Sequence, residues 1–266
     1  MNPTINHIVK AIDDFARPCW QEDFDNSGWQ ILLPGAENEQ CTGVMICVDV
    51  TPEIVREAVE KNCNLILTHH PLLFRGLKRI ADDDRVGQCV IEVIKAGTSV
   101  YSCHTPVDSA PGGVSFKLAG MLQLADVEVL KPGCADNTGL GVVGCFTPPI
   151  TFQELITLLK AKLSTPVVRC SNPMPPDATV HKIAIGGGAC ADLIPLAVKR
   201  GAQVMVTSDV KHNFFIDYAH AITVVDLGHF ETEVCTKEIF YDIIKEKFPN
   251  FATYYSQTEK NPINYL

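Results

Sequence analysis

The chain has 266 residues, of which 46% are hydrophobic and 20% charged, a composition typical of a soluble globular protein with one large or two smaller domains. No run of about 18 apolar residues suggests a membrane span. The formal net charge of -9, without a Lys/Arg cluster, argues against a nucleic-acid surface and favours bound cations. The eleven cysteines contain no C-x-x-C pair, so neither a disulfide framework nor a thiolate zinc site is indicated.

The N-terminal segment "MNPTINHIVKAIDDF" is predicted to be an amphipathic helix. Its apolar side chains recur at helical spacing, at Ile5, Ile8, Val9, Ile12 and Phe15. Acidic residues lie close to them, which is unlike the apolar core of a signal peptide. We therefore expect a cytoplasmic protein.

The chain contains two segments that resemble each other. Residues 43–70, "GVMICVDVTPEIVREAVEKNCNLILTHH", align without a gap with residues 182–209, "KIAIGGGACADLIPLAVKRGAQVMVTSD", and each segment is typical of a strand, a turn, a helix and a strand. The resemblance resumes between residues 86–108 and 211–233, after a longer loop in the first copy. Any two β-α-β units look alike to some degree, but here polar residues at the strand ends also coincide.

These patterns predict an α/β protein with two similar α/β lobes from an internal repeat, in which mixed sheets are flanked by helices. We expect the first lobe at residues 1–128 and the second at residues 129–266, or a single intertwined domain. Residues 130–180 are punctuated by Pro and Gly, and a helix over 233–247 precedes a short strand in "FATYYSQ".

Six polar residues directly follow predicted strands, where open α/β sheets form their binding sites. They are His69, His70, His104, Asp108, His229 and Glu233. Four imidazoles are too many nitrogen ligands for calcium or magnesium, whereas a mixture of histidine and carboxylate suits zinc, iron, manganese or similar ions. The sequence therefore predicts a divalent-metal site.

The spacing of these residues favours two ions. Neighbouring side chains of a regular strand point to opposite faces, so His69 and His70 are expected to bind separate ions. In "HFETE", the i, i+4 spacing puts His229 and Glu233 on one face of a helix, and one carboxylate can bridge two ions. Taken singly, each has an ordinary explanation: a lone histidine is more often a hydrogen-bonded core or surface residue, and Asp108 suits the cap of a helix starting near Ala110.

Two further segments are weaker candidates. The glycines of "GGGA", residues 186–189, suit either a phosphate held by backbone amides or a tight turn. Cys103 lies beside His104, but adjacent strand residues face apart, so a buried thiol is favoured over a catalytic nucleophile.

The motifs "THHPLLF", "HTPVDSAPGG" and "GHFETE", with "DNSGWQ" (residues 25–30) and "TSDVKH" (residues 207–212), resemble one family over essentially the whole chain. It is the Ngg-one-interacting-factor-three-like family, whose members are called type 2 GTP cyclohydrolase I homologues or dinuclear metal-centre proteins. The chain departs from the family pattern at Pro106, Val107 and Ser208.

The resemblance implies two similar α/β lobes and a ring-shaped homohexamer whose metal sites face an internal cavity. It implies metal ligands at His69, His70, Asp108, His229 and Glu233, with His104 at a polar position close to the metals. It does not explain "DNSGWQ", in which Asp25 and Asn26 suit either the cap of a turn or the lining of the cavity.

We expect a metal-dependent hydrolase in which two ions activate a shared water, and His104 is the candidate for proton transfer. The family label implies a small-molecule substrate such as a nucleotide, although phosphoester or amide hydrolysis suits the same ions. The alternative is a non-catalytic regulatory, adaptor or metal-chaperone scaffold. Neither hypothesis includes a nucleic-acid or membrane partner.

Overall fold

The structure is a computed structural model that describes residues 3–266, and contacts divide the chain into two compact units. The first unit consists of the chain up to Val107 together with Thr236–Lys260, and the second of Asp108–Cys235 together with Asn261–Leu266. The C-terminal segment Thr236–Lys260 thus belongs to the first unit. The division into lobes 1–128 and 129–266 stays a prediction.

Helices and strands alternate along most of the chain. The helices are α1 (Ile5–Phe15), α2 (Pro52–Glu60), α3 (Arg85–Ala96), α4 (Thr105–Ser109), α5 (Val114–Met121), α6 (Phe152–Leu163), α7 (Ile194–Lys199), α8 (His212–Asp217), α9 (His229–Glu233) and α10 (Thr236–Lys247). The strands are β1 (Gly28–Ile31), β2 (Val44–Cys47), β3 (Leu65–Thr68), β4 (Ser99–Ser102), β5 (Ala125–Pro132), β6 (Gly139–Thr151), β7 (Arg169–Cys170), β8 (Thr179–Ile185), β9 (Val204–Thr207), β10 (Thr223–Asp226) and β11 (Thr253–Tyr255). In the described part of the chain, no helix is long and apolar enough to cross a membrane.

The first unit contains a five-stranded sheet in the order β1-β4-β3-β2-β11. Strands β4, β3, β2 and β11 are parallel, and β1 pairs antiparallel with β4 at the edge. Every residue of β2 and β3 is buried, as expected for parallel strands covered on both faces. Met45 and Ile66 of the sheet pack with Ile54 of α2 and Val93 of α3 in one hydrophobic core.

The second unit contains a six-stranded sheet in the order β5-β6-β8-β9-β10-β7. Its central strands β8, β9 and β10 are parallel, and β5, β6 and β7 make antiparallel pairings. The predicted α/β fold with mixed sheets flanked by helices is therefore confirmed. The internal repeat stays a proposal, supported by a shared register: Val44 pairs with Leu65, and the aligned Ile183 pairs with Val204.

Buried Glu57 anchors the C-terminal segment within the first unit. Its carboxylate accepts hydrogen bonds from the backbone N–H groups of Gln257 and Thr258 and from the hydroxyls of Ser256 and Thr258. Burial acts to raise the pKa of Glu57, but these hydrogen bonds outweigh it and lower the pKa below the ordinary value. The ionised carboxylate therefore stabilises the docked segment.

Two local predictions need correction. Asp108 lies inside α4, and the following helix α5 begins at Val114 after Gly113, so Asp108 does not cap a helix starting near Ala110. The helix expected over residues 233–247 is α10, which ends at Lys247 as expected but begins later, at Thr236, because Glu233 is the last residue of α9.

Candidate functional site

Three histidines converge in the first unit, just beyond the carboxyl ends of β3 and β4. The metal-binding atoms of His69, His70 and His104 all lie within 4.8 Å of one another. Their ring centroids are 4.9 to 5.4 Å apart, and His69 is completely buried. The backbone N–H groups of His69 and His70 donate to carbonyls of Cys47 and Val48, so the parallel pairing holds both residues in place.

His69 and His70 do not point to opposite sides, in contrast to the expectation from strand alternation. Strand β3 ends at Thr68, so the period of two no longer applies to the two residues that follow. The two rings lie side by side at an interplanar angle of 43°. Strand alternation therefore gives no reason to expect His69 and His70 to bind separate ions.

Each of the three rings is oriented by a contact at Nδ1. Nδ1 of His69 lies 3.2 Å from the carbonyl oxygen of Cys103, and Nδ1 of His70 lies 3.1 Å from Oδ1 of Asp49. Nδ1 of His104 lies 2.7 Å from Oδ1 of Asp25. Because all three partners are acceptors, a neutral imidazole carries its proton on Nδ1 and its lone pair on Nε2, which is the tautomer that metal-binding histidines adopt.

Both carboxylates that hold histidines are ionised. Burial acts to raise the pKa of Asp49, but the hydrogen bond and positive charge of His70 outweigh it and lower the pKa. For Asp25, burial is again the largest contribution, yet hydrogen bonds from His104, Thr105 and Ser27 hold the pKa well below its usual range. These anions stabilise either a protonated ring or a ring that binds a cation.

The second unit brings His229 and Glu233 together. They are the first and last residues of α9, and Nε2 of His229 lies 2.9 Å from Oε2 of Glu233, so the prediction that they share one helix face is confirmed. Two ligands of a tetrahedral zinc ion, each at about 2.0–2.2 Å from it, stand about 3.3–3.6 Å apart, so a small shift of these side chains brings both onto a single ion. Nδ1 of His229 contacts Oδ2 of Asp209 at 2.7 Å.

The "GGGA" loop packs against Glu233. Gly188 has a left-handed φ of 63°, and a Cβ there would overlap the Glu233 carboxylate and lie 3.4 Å from Nε2 of His229. The Gly188 N–H donates to the hydroxyl of Thr232, and the Gly186 N–H donates to the Val206 carbonyl. These amides are engaged within the protein, which supports the tight turn rather than the phosphate site.

Asp108 also lies in the second unit. Burial raises the pKa of the Cys190 thiol well above its ordinary value, and the negative charges of Asp108, Asp192 and Glu233 raise it further. Asp108 and Glu233 are therefore both within electrostatic reach of Cys190, although Asp108 is not part of the tight histidine cluster of the first unit. Cys103 is buried, as expected.

The donor sets of both units fit divalent transition metals, because the first supplies three imidazoles, the second combines an imidazole with a carboxylate, and each ring is held through Nδ1. Sequence reasoning left Asp25 open between the cap of a turn and the lining of the cavity, and it missed Asp49 and Asp209. The signal for the last two was available, because Asp49 comes two residues after β2 and Asp209 two residues after β9. Carboxylates at these strand ends are natural partners for the ring nitrogens of neighbouring histidines.

Comparisons with known proteins identify relatives that match most of the chain. The chain is 31% identical over 265 residues to a Clostridium perfringens protein named GTP cyclohydrolase 1 type 2 homolog, covering 98% of this chain and 99% of the relative. It is 32% identical over 237 residues to the Clostridium acetobutylicum protein of the same name, covering 88% of this chain and 86% of the relative.

Among solved structures, the Staphylococcus aureus hypothetical protein SA1388 has a TM-score of 0.89 at 24% identity, with both chains covered completely. A Bacillus cereus protein related to NIF3 has a TM-score of 0.89 at 22% identity, again over 100% of both chains. These two likenesses concern the fold. The family profile described as Duf34/NIF3 (NGG1p interacting factor 3) matches residues 3–262, and the chain therefore belongs to this family.

Proposed function

We propose that this protein is a metal-dependent hydrolase that binds two divalent metal ions per chain. The proposed ligands are His69, His70, Asp108, His229 and Glu233. The observation that carries the proposal is the Nδ1 contact of His69, His70 and His104, which directs the lone pair of each of these rings to Nε2. Structural histidines have no common need for this arrangement, whereas metal ligands do.

Divalent ions held by these residues supply Lewis-acid polarisation and stabilise the negative charge that develops during hydrolysis. His104 accepts a proton from the attacking water at Nε2, while Asp25 accepts the hydrogen bond from Nδ1. Asp49 and Asp209 hold His70 and His229 in their binding orientation.

The proposed substrate is a small anionic molecule with an aromatic ring, such as a nucleotide. Relatives carry the name GTP cyclohydrolase 1 type 2 homolog, which is consistent with this class. The loop that follows His70 supports it as well. Phe74 is 44% exposed with its ring centroid 6.2 Å from that of His104, and the exposed cations Arg75 and Lys78 follow it. An aromatic face with adjacent cations suits a planar, negatively charged ligand.

Metal content tests the proposal first. Elemental analysis of protein purified without chelator should give about two equivalents of divalent metal per chain, and His69→Ala and His70→Ala should each lower this value. His220→Ala is the control, because His220 is exposed and lies outside both clusters. Metal-free wild-type protein that resists reloading would refute the proposal.

Hydrolysis is then screened with nucleotides and phosphoesters on the metal-loaded protein. We expect turnover that His104→Ala abolishes while metal content is retained. Full metal loading without turnover of any of these compounds would instead favour the regulatory, adaptor or chaperone scaffold.

We also propose the homohexameric ring that the resemblance implies and a cytoplasmic location. Light scattering coupled to size exclusion should give six times the chain mass of 29.1 kDa. A monomer would refute the ring without affecting the metal ligands.

A further inference from the structure

The segment "DNSGWQ", residues 25–30, contacts both histidine-bearing loops of the first unit. Asp25 and Ser27 form hydrogen bonds with His104 and Thr105, which follow β4. Asn26 donates from its side-chain amide to the Leu73 carbonyl at 2.7 Å, and Leu73 N–H donates to Oε1 of Gln30 at 2.9 Å. Leu73 lies three residues beyond His70, so one short segment holds the chain after each histidine motif.

The two oxygens of Asp25 accept different donors. Oδ1 accepts from Nδ1 of His104 and from the Asn26 N–H, both at 2.7 Å. Oδ2 accepts from the Thr105 N–H at 3.0 Å, the Thr105 hydroxyl at 2.5 Å and the Ser27 hydroxyl at 2.8 Å. Five donors thus converge on one carboxylate.

The direction of the hydroxyl bonds follows from their other partners. Oγ1 of Thr105 accepts the N–H of Glu22, and Oγ of Ser27 accepts the N–H of His104, each at 3.0 Å. Both hydroxyls therefore point their protons at Oδ2 of Asp25. Because donors point at both oxygens of Asp25, both oxygens must act as hydrogen-bond acceptors.

We propose that "DNSGWQ" is a positioning segment in which Asp25 fixes the tautomer of His104, so that the proton stays on Nδ1 and Nε2 faces the histidine cluster as a base. Asn26 and Gln30 hold the loop after His70 through their hydrogen bonds with the backbone of Leu73. This role rests on the proposed function, since a lone pair at Nε2 is what proton transfer requires. Asp25 acts through His104 and is not itself a catalytic residue.

The geometry predicts what an amide at position 25 would do. In Asp25→Asn, the carboxamide oxygen is best placed at the Oδ2 position, where three donors converge. The NH₂ group then occupies the Oδ1 position and donates to Nδ1 of His104. The imidazole must move its proton to Nε2, so the substitution inverts the tautomer without removing a side chain.

Neutron diffraction of the deuterated full-length chain locates this proton directly. In crystals kept at about pH 8, wild-type His104 should carry deuterium on Nδ1 and none on Nε2, because Oδ1 of Asp25 accepts the hydrogen bond from Nδ1. Asp25→Asn should lose the deuterium at Nδ1 and gain it at Nε2. Asp23→Asn is the matched control. It removes the same charge from an exposed position two residues away, and it should leave the proton of His104 on Nδ1 as in wild type.

Deuterium on Nε2 of wild-type His104, alone or together with Nδ1, would overturn the proposal even if Asp25→Asn does not fold. An unchanged ring in a folded Asp25→Asn protein would overturn it as well. Neither result depends on turnover, so a chain that binds no metal and hydrolyses nothing would refute the proposed function while the tautomer assignment stands or falls separately.

Discussion

Gly188→Ala should disturb the Glu233 carboxylate more than any other single methyl addition in the "GGGA" loop. The new Cβ would overlap Oε1 of Glu233, lie 2.9 Å from its Cδ and lie 3.4 Å from Nε2 of His229. The backbone cannot shift easily to relieve this overlap. The Gly188 N–H donates to Thr232, and the Gly188 carbonyl accepts from the hydroxyl of Thr207 and the N–H of Ser208.

The expected loss of stability has two parts. An L residue at a left-handed φ costs about 1 kcal/mol, and overpacking a buried position costs about 1–3 kcal/mol more. Gly201→Ala measures the backbone contribution alone, because Gly201 has a similar φ of 70° and a Cβ added there would meet nothing within 4 Å. The free energy of unfolding should therefore fall by about 1 kcal/mol in Gly201→Ala and by about 2–4 kcal/mol in Gly188→Ala.

Urea unfolding of metal-free protein measures the two stabilities, and calorimetric titration with zinc measures binding. Gly188→Ala should weaken zinc binding by about 10-fold or more, because the new methyl group displaces the carboxylate of the proposed ligand Glu233, whereas Gly201→Ala should bind as wild type. Equal stability losses in the two variants with unchanged zinc affinity would refute the close packing of the loop against Glu233.

Three further substitutions test other contacts. Glu57→Gln should lower the free energy of unfolding by about 2 kcal/mol at neutral pH. Because the folded-state pKa of Glu57 is lowered, urea titrations should show this difference intact above the ordinary pKa of 4.5 and fading as the pH falls through the folded value. Asp209→Asn should weaken zinc binding by about 10–100-fold, and exposed Asp217→Asn should not. Thr151→Ala removes the capping box that Thr151 forms with Glu154 at the start of α6, which should cost about 1 kcal/mol in thermal unfolding.

The elements that the sequence predicts well are those with a strong local pattern. Helix α1 follows the apolar spacing of its residues, and the buried runs of β2 and β9 match their predicted strands. The i, i+4 pair of His229 and Glu233 was recognisable because helix geometry alone brings these side chains together. Local periodicity therefore located both the scaffold and one pair of proposed ligands.

Contacts that join distant residues were beyond this kind of reasoning. Asp25 contacts His104 across a gap of 79 residues, and nothing in the spacing of the two indicates that β1 lies beside β4. The sequence also did not predict that β11 and α10 belong to the first unit. Pairing between remote segments, such as β11 with β2, leaves no periodic pattern in the sequence. The predicted alternation of His69 and His70 failed at a boundary, because β3 ends at Thr68, before either histidine.

Anomalous diffraction from crystals of the wild-type chain, purified without chelator, tests the metal-binding proposal most directly. We predict anomalous peaks at about 2.0–2.2 Å from Nε2 of His69 and His70 in the first unit, and likewise from Nε2 of His229 and the carboxylate of Glu233 in the second. Metal-soaked crystals without such peaks, or peaks bonded to Nδ1 atoms, would contradict it.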